Sequence, residues 1–395
     1  MSEGIRRQEV PHREEDARSV SIVTYSELAA DPASWDALME RALTTHPHYS
    51  RHVMAAHHAA GLADADLAFV CVRGRGGLEA LMPFRSRRDI AGLGSRVTHP
   101  FLSPFITQTS PLVAEGPDLP DGRDLPDRLD LLVAGLRIAS GGRPWRWPLL
   151  PTGTRLGRGL LAAMDRAGWV HGAADRFERP IVERRSSHSV FLGEHPHRSR
   201  MKDLRRRHRR LSKRGSLTLG IATEGPALAD AVAGFLRLER AGWKGRAGTA
   251  LACLPQHEAF ARALFADGSG PVGLRADTLS LDGRALSISL ALLAGETATL
   301  LKTTYDERER AHAPGLLLEA LIIEEMHATG FAGRLDSATL AGSVLEDLYP
   351  DRETISEIIA VPDGASRPIS LERRLRLATM EREAKTLIKH LLGRR

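Results

Sequence analysis

LSLDGRALSISLALLAGETATLLKTTYDERERAHAPGLLLEALI, Leu279–Ile322, changes its periodicity twice within one span. Leu286, Ile288, Leu290 and Leu292 recur at every second position, which predicts a strand with those side chains on one face. Asp282-Gly283 ahead of them tolerates the positive φ of a tight hairpin turn and joins this strand to VGLRADTLSL. TATLLKTTY (Thr297–Tyr305) predicts a third, adjacent strand. Beyond DERERAHA the apolar spacing becomes helical in LLLEALIIEEMHATG, with Pro314-Gly315 in the first turn and Gly330 at the end. FAGRLDS then reads as a short buried strand, so the order is three antiparallel strands, a helix and a strand.

The same grammar extends outward. TLGIAT predicts a strand, and ALADAVAGFLRLERAGW and HEAFARALFADG predict helices. In the first half, SIVTY predicts a strand, and Asp31-Pro32 stands as N-cap and first residue of a helix burying Trp35, Leu38 and Met39. LAFVCVR and LEALMPF, joined by GRGG, predict a hairpin; WRWPLLP and the helical LGRGLLAAMDRAGW follow. Leu371–Leu392 has apolar residues spaced by three or four and predicts an amphipathic terminal helix.

At 395 residues, with 42% hydrophobic and 26% charged side chains, the chain is long enough for two domains with separate cores. Cys71 and Cys253 make at most one bridge, which excludes a disulfide scaffold and suits a reducing compartment. The N-terminus lacks the apolar core of a secretion signal, and no apolar run approaches the ~20 residues that span a bilayer, so a cytoplasmic location is expected. The net charge of +6 is uneven: His197–Arg214 holds ten Lys or Arg against Asp203, and the rest of the chain is slightly acidic. On a helix, this strip suits nucleic-acid phosphates, an acidic lipid headgroup or CoA phosphate, or solvent between domains. No aromatic residue lies between Lys202 and Arg214 to stack on bases.

The ordered pieces RMKDLRRRHRRLSKRGSLTLGIAT, FLRLERAGWKGRAGTAL and Leu279–Ile322 resemble the BioF2-like, cellulose-biosynthesis-type acyltransferase domain of the GNAT superfamily, distantly related to Fem-type aminoacyl transferases. The likeness covers roughly residues 190–350. It implies an α/β fold of two GNAT-like mixed-sheet domains packed around a cleft. The expected organisation is a flexible leader over 1–19, an acceptor-side domain over 20–185, an acyltransferase domain over 186–360 and the terminal helix over 361–395. It further implies acetyl-CoA or another acyl-CoA as co-substrate, no metal, and transfer to the amine of a small molecule or envelope-saccharide precursor. Two alternatives stay open: an aminoacyl-tRNA-dependent transferase, and a catalytically degenerate binding or scaffold protein. Contact with tRNA or acidic lipid falls on Arg205–Arg214, and the latter is compatible with peripheral attachment at the inner membrane surface.

In such a site an extended pantetheine arm pairs with the strand before the helix, and the helix N-terminus receives the pyrophosphate. The resemblance places Lys302, Thr303, Tyr305, Arg310, Ala313, Pro314 and Gly315 on the cofactor, and Trp243 and Lys244 on the substrate. Direct attack by an amine needs a proton acceptor, for which Glu239, Asp336 and Asp306 are the candidates. Glu239 also fits a plain helix-surface charge and Asp336 a local cap or pair, and the junction itself fits a capped helix behind a meander. DSATLAGSVLEDLYP after Asp336 departs from the family's usual aromatic or Gly and later Tyr-Lys pair. His46, His48, His52, His57 and His58 lack a carboxylate or thiolate frame for a metal, and there is neither a phosphate loop ending in Gly-Lys-Ser/Thr nor a Gly-x-Ser-x-Gly elbow.

Overall fold

The computed structural model describes residues 18–63, 65–90, 92–116, 124–266, 268, 270–364 and 369–392. The leader expected over 1–19 thus lies, up to residue 17, outside the described residues. The chain divides into one unit of residues 1–44, 65–177 and 354–395 and a second of residues 45–64 and 178–353.

In chain order the strands are β1 (Ser19–Thr24), β2 (Ala68–Gly74), β3 (Gly77–Arg88), β4 (Arg96–Pro100), β5 (Leu112–Val113), β6 (Trp145–Pro151) and β7 (Val170–Glu183). They continue as β8 (Leu217–Ala222), β9 (Val272–Leu281), β10 (Arg284–Ala294), β11 (Thr297–Tyr305), β12 (Arg334–Asp336) and β13 (Asp351–Val361). In the first unit the antiparallel run β1-β2-β3-β4 meets β6 in parallel, β6 pairs with β13, and β5 pairs with β3. The helix Asp124–Ser140 makes the crossover to β6. Asp31 caps the helix Pro32–Glu40 through the Ser34 amide, and Trp35, Leu38 and Met39 are buried as their spacing predicts.

The second unit repeats this plan. β8-β9-β10-β11 run antiparallel, β11 meets β12 in parallel after the crossover helix Pro314–Thr329, and β12 pairs with the end of β7. The Asp282-Gly283 turn joins β9 to β10 with both residues at positive φ. A bulge between Ala285 and Ser287 interrupts the expected alternation, and Leu286 joins the core cluster around Leu211, Leu317 and Ile323. Ser287 and Ser289 then face the crossover helix, where Ser287 Oγ donates to the Pro314 carbonyl at 2.9 Å. On the other face, Ile288 lies against the helix Gly225–Ala241 near Gly234.

Three local devices fix the crossover helix. Ala313, at φ 49°, turns the chain into it, and Pro314 supplies a preset first residue without an N–H. Gly330, at φ 70°, closes it with an N–H donated to the Met326 carbonyl at 3.0 Å. Leu317, Leu318, Ile322, Ile323 and Met326 are buried, and burying a side chain of this kind contributes about 1.5–3 kcal/mol. The basic strip forms the helix Arg198–Ser212, anchored by Met201, Leu204 and Leu211. The histidine-rich segment groups with the second unit, where His52 Nε2 meets the Leu264 carbonyl at 2.7 Å.

Candidate functional site

β11 and β12 pair only over Thr297–Thr299 and Arg334–Asp336. Beyond Thr299, β11 runs on to Tyr305 while the chain after Asp336 turns away, so the two strands part and one edge of β11 is left unpaired among the described residues. A bulge at Leu301, where Leu290 faces Lys302 and Ala291 faces Leu300, sharpens the divergence. The turn after Asp336 is built by that side chain. Its Oδ1 accepts the Ala338 N–H at 2.7 Å, holding Ala338 at φ 55°, and its Oδ2 meets the fully buried Arg179 Nη1 at 3.5 Å.

A cavity of about 450 Å³ fills the space between the parted strands and the start of the crossover helix. Its wall includes Lys244, Lys302, Thr303, Tyr305, Arg310, Ala313, Pro314 and Gly315 together with the apolar Leu300, Leu301, Leu316, Val344 and Leu345. The helix N-terminus faces it with no side-chain cap. The Leu317 N–H is satisfied by the Ala313 carbonyl at 3.0 Å, which leaves the preceding Gly315 and Leu316 amides as the donors of the first turn. A Cβ at Gly315 would project toward Tyr305 and Thr303 at ordinary contact distance, so the glycine keeps cavity space open.

Glu239 lies behind this wall. Placed on the last turn of the helix Gly225–Ala241, its wholly buried carboxylate accepts from Lys302 Nζ at 2.9 Å, Lys244 Nζ at 3.2 Å and the Leu251 amide at 2.8 Å. Burial alone would raise its pKa, but the Leu251 hydrogen bond and the Lys302 charge outweigh burial and hold it below the usual range. Burial lowers the Lys244 pKa against the pull of Glu239. Gly245 makes the arrangement possible, since a Cβ there would collide with the Arg240 carbonyl as the chain folds back over the helix end. Lys244 also donates to the Thr303 carbonyl at 3.3 Å, whereas the neighbouring Trp243 side chain is half exposed and its amide is held by Glu307.

The other two carboxylates are occupied locally. Asp306 caps the short turn Glu307–His312 by accepting the Arg308 N–H at 3.0 Å, and it also binds the guanidinium groups of Arg308 and Arg284, which hold its carboxyl below the usual range, Arg308 foremost. Asp336 shapes the β12 exit. The carboxylate that does reach the cavity is Glu319, which lies inside the apolar run LLLEALII and which the candidate set drawn from sequence omits. Its Oε1 accepts from Thr303 Oγ1 at 2.7 Å and Ser289 Oγ at 3.0 Å, and its Oε2 from the Tyr349 hydroxyl at 3.0 Å. Burial, with the nearby Asp277 charge adding to it, raises the Glu319 pKa despite the three donors. A lone acidic residue among leucines at a core-facing helical position is the one signal in the sequence that points to it.

Residues 198–339 match the family model of the acetyltransferase (GNAT) domain. The matched span runs from the basic helix past β12 and contains β11, the crossover helix and most of the cavity wall. The fold is α/β with mixed sheets in both units, and the GNAT match falls within the second. Among solved structures, the chain is similar to the C-terminal domain of a putative lysylphosphatidylglycerol synthetase from Agrobacterium fabrum, at 13% identity over 91% of this chain and 96% of that one, with a TM-score of 0.53. A conserved protein of unknown function from Bacteroides thetaiotaomicron shows 13% identity over 85% and 97%, also at 0.53. FemX shows 10% identity over 87% and 97%, with a TM-score of 0.53. At these identities the likeness is one of fold. No curated protein matches the sequence.

Proposed function

We propose that the GNAT-type domain is an N-acyltransferase of the BioF2-like kind, moving an acyl group from acyl-CoA to the amine of a small molecule or saccharide precursor. The observation that carries this reading is the cavity where β11 and β12 part, with a buried carboxylate at its wall and an uncapped helix N-terminus at its mouth. Its donor set fits the co-substrate. The Gly315 and Leu316 amides and Arg310 suit a pyrophosphate, the unpaired β11 edge suits the amides of a pantetheine arm, and Leu300, Leu301 and Leu345 suit an acyl chain.

The bound thioester supplies an activated acyl carbon. The residues of this chain orient it and manage the proton: as the amine nitrogen bonds to the acyl carbon and the C–S bond breaks, N–H groups on the free edge of β11 stabilise charge developing on the acyl oxygen, Glu319 Oε1 takes the proton from the attacking amine, and the CoA sulfur leaves as a thiolate that solvent protonates. Thr303 and Ser289 fix that oxygen, and Tyr349 fixes the other. Glu239 acts at one remove, by holding Lys244 and Lys302 at the wall. A scaffold without chemistry would turn every carboxylate away from the groove; Glu239, Asp306 and Asp336 are engaged elsewhere, but Glu319 meets it.

Thermal-shift titration with acetyl-CoA, longer acyl-CoAs and aminoacyl-tRNA, alongside mass spectrometry of ligands retained by the native protein, tests the reading. Acyl-CoA is expected to raise Tm, by about 2.7 kcal/mol of stabilisation at a hundredfold excess over Kd. Gly315→Asp puts bulk and negative charge at the phosphate end and is expected to abolish that shift, while Gly315→Ala folds normally. Stabilisation by aminoacyl-tRNA and not by acyl-CoA, or an unchanged CoA shift in folded Gly315→Asp, overturns the proposal.

A further inference from the structure

The crossover helix Pro314–Thr329 has a second polar environment on its other side. Gly315, Leu316 and Glu319 face the acyl cavity, whereas Leu317, Ala320, Leu321 and Glu324, spaced three and four apart, face a separate groove of about 500 Å³ in the second unit. The helices His188–Glu194 and Arg198–Ser212 close it. Its floor is aliphatic, formed by Leu192, Leu204, Leu317 and Leu321, and Lys202, Arg205 and Arg209 stand along its rim.

The charges of the basic helix are sorted by face. Arg206 and Arg207 pair with Asp203 on their own helix, and Arg214 pairs with Glu309 at 2.6 Å. Lys202, Arg205 and Arg209 fall on the groove side at positions i, i+3 and i+7, and no salt bridge engages them among the described residues. The remaining titratable groups around the groove are His188, whose pKa burial lowers, His208, and the single carboxylate Glu324 on the opposite wall. Three unpaired cations above an aliphatic floor ask for a ligand that is anionic at one end and apolar at the other. A nucleic acid supplies the phosphates, but there is no Phe, Tyr or Trp on the groove wall to stack its bases.

We propose that this groove docks an anionic phospholipid, with the phosphate headgroup against Lys202, Arg205 and Arg209 and the first acyl carbons against Leu204, Leu317 and Leu321, so that the protein binds anionic membrane surfaces. Near such a surface a basic residue contributes about fivefold in affinity, and aliphatic contact adds to it. The site is separate from the acyl cavity, and its occupancy is read without any acyltransferase assay.

The test is flotation of the full chain with vesicles of phosphatidylcholine alone or containing phosphatidylglycerol, with inorganic phosphate and tRNA as competitors and Tm recorded for every variant. Wild-type protein is expected on the anionic vesicles only. The triple change Lys202→Gln, Arg205→Gln, Arg209→Gln is expected to weaken binding about a hundredfold, and Leu321→Asn to weaken it with all charges kept. Arg210→Gln removes a cation of the same helix that is not on the groove wall, and should lower binding less than Arg205→Gln. If the triple variant fails to fold, Arg205→Gln and Leu321→Asn are read singly. Equal binding to neutral and anionic vesicles, equal effects of Arg205→Gln and Arg210→Gln, an unaffected Leu321→Asn, or tRNA binding without vesicle binding overturns the proposal.

Discussion

Glu239→Gln preserves the shape of a buried side chain and removes its charge, which isolates the ion cluster behind the cavity wall. The carboxylate accepts three hydrogen bonds, two of them from ammonium groups at 2.9 and 3.2 Å and one from a backbone amide at 2.8 Å. A Gln amide offers one acceptor oxygen, and its NH2 faces a donor whichever way it is turned. Removing one member of a buried ion pair costs about 3–5 kcal/mol. Lys244 and Lys302 keep 23% and 25% of their side-chain exposure and can turn partly to water, so the lower end applies, about 3 kcal/mol. At roughly 2–4 °C per kcal/mol for a domain of 150–250 residues, Tm should fall by about 6–12 °C at pH 7. The pH dependence has a definite sign. The native carboxyl lies below its ordinary value, so its contribution is complete above the unfolded Glu pKa and is lost as pH falls through the depressed native one. The gap between wild type and variant should therefore narrow steadily as the solution is acidified below about pH 4.5. Thermal scans followed by far-UV circular dichroism across that range check it. A shift under about 2 °C at pH 7, or a gap that stays constant in acid, refutes the account of Glu239 as the anchor of both lysines.

Glu319→Gln is expected to lower kcat about 10²–10⁴-fold in a thiol-release assay with acyl-CoA and an amine panel. Burial raises the Glu319 pKa, so wild-type kcat/KM should climb with pH through that raised value while the Gln variant shows no such limb; a retained limb removes Glu319 from the chemistry. In the first unit Arg146 sits among Asp89, Glu357 and Glu381 at 2.7, 2.5 and 2.6 Å, and Arg146→Met leaves three crowded carboxylates. Its loss of Tm should exceed that of Arg146→Lys, which keeps a cation among the three; equal losses would assign the effect to packing of the guanidinium.

The cavity wall was readable from the chain where its residues are consecutive. Lys302 to Gly315 span a strand end, a short turn and a helix start, each announced by period, by Pro and Gly, or by the change of spacing between them. What escaped was long-range. Glu319 is held by Ser289, Thr303 and Tyr349 from three segments, and only pairing of β10 with β11 and packing of the crossover helix bring those hydroxyls together. Arg179 reaches Asp336 only because β7 pairs with β12. Asp306 is the opposite case: the sequence reading makes it a catalytic candidate, but in DERER it precedes the arginine whose amide it caps, and that local turn occupies it. The interrupted alternation at Leu286 likewise follows from a bulge that no period of two records.

The repeated topology bears on the proposed place of transfer. In both units a crossover helix follows an antiparallel run and leads into a strand that pairs in parallel, so each places a helix N-terminus at the equivalent point of its sheet. In the second unit that terminus is uncapped, begins with Pro-Gly and opens on the cavity. In the first, the helix Asp124–Ser140 carries Asp124 and Asp127 in its first described turn, and Asp124 is paired with Arg18 and, at 2.5 Å, with Arg128. A carboxylate at the positive end of a helix already satisfies the dipole, and its charge repels a phosphate. The first unit therefore keeps the fold with carboxylates and their arginine partners in the helix turn that, in the second, opens on the cavity.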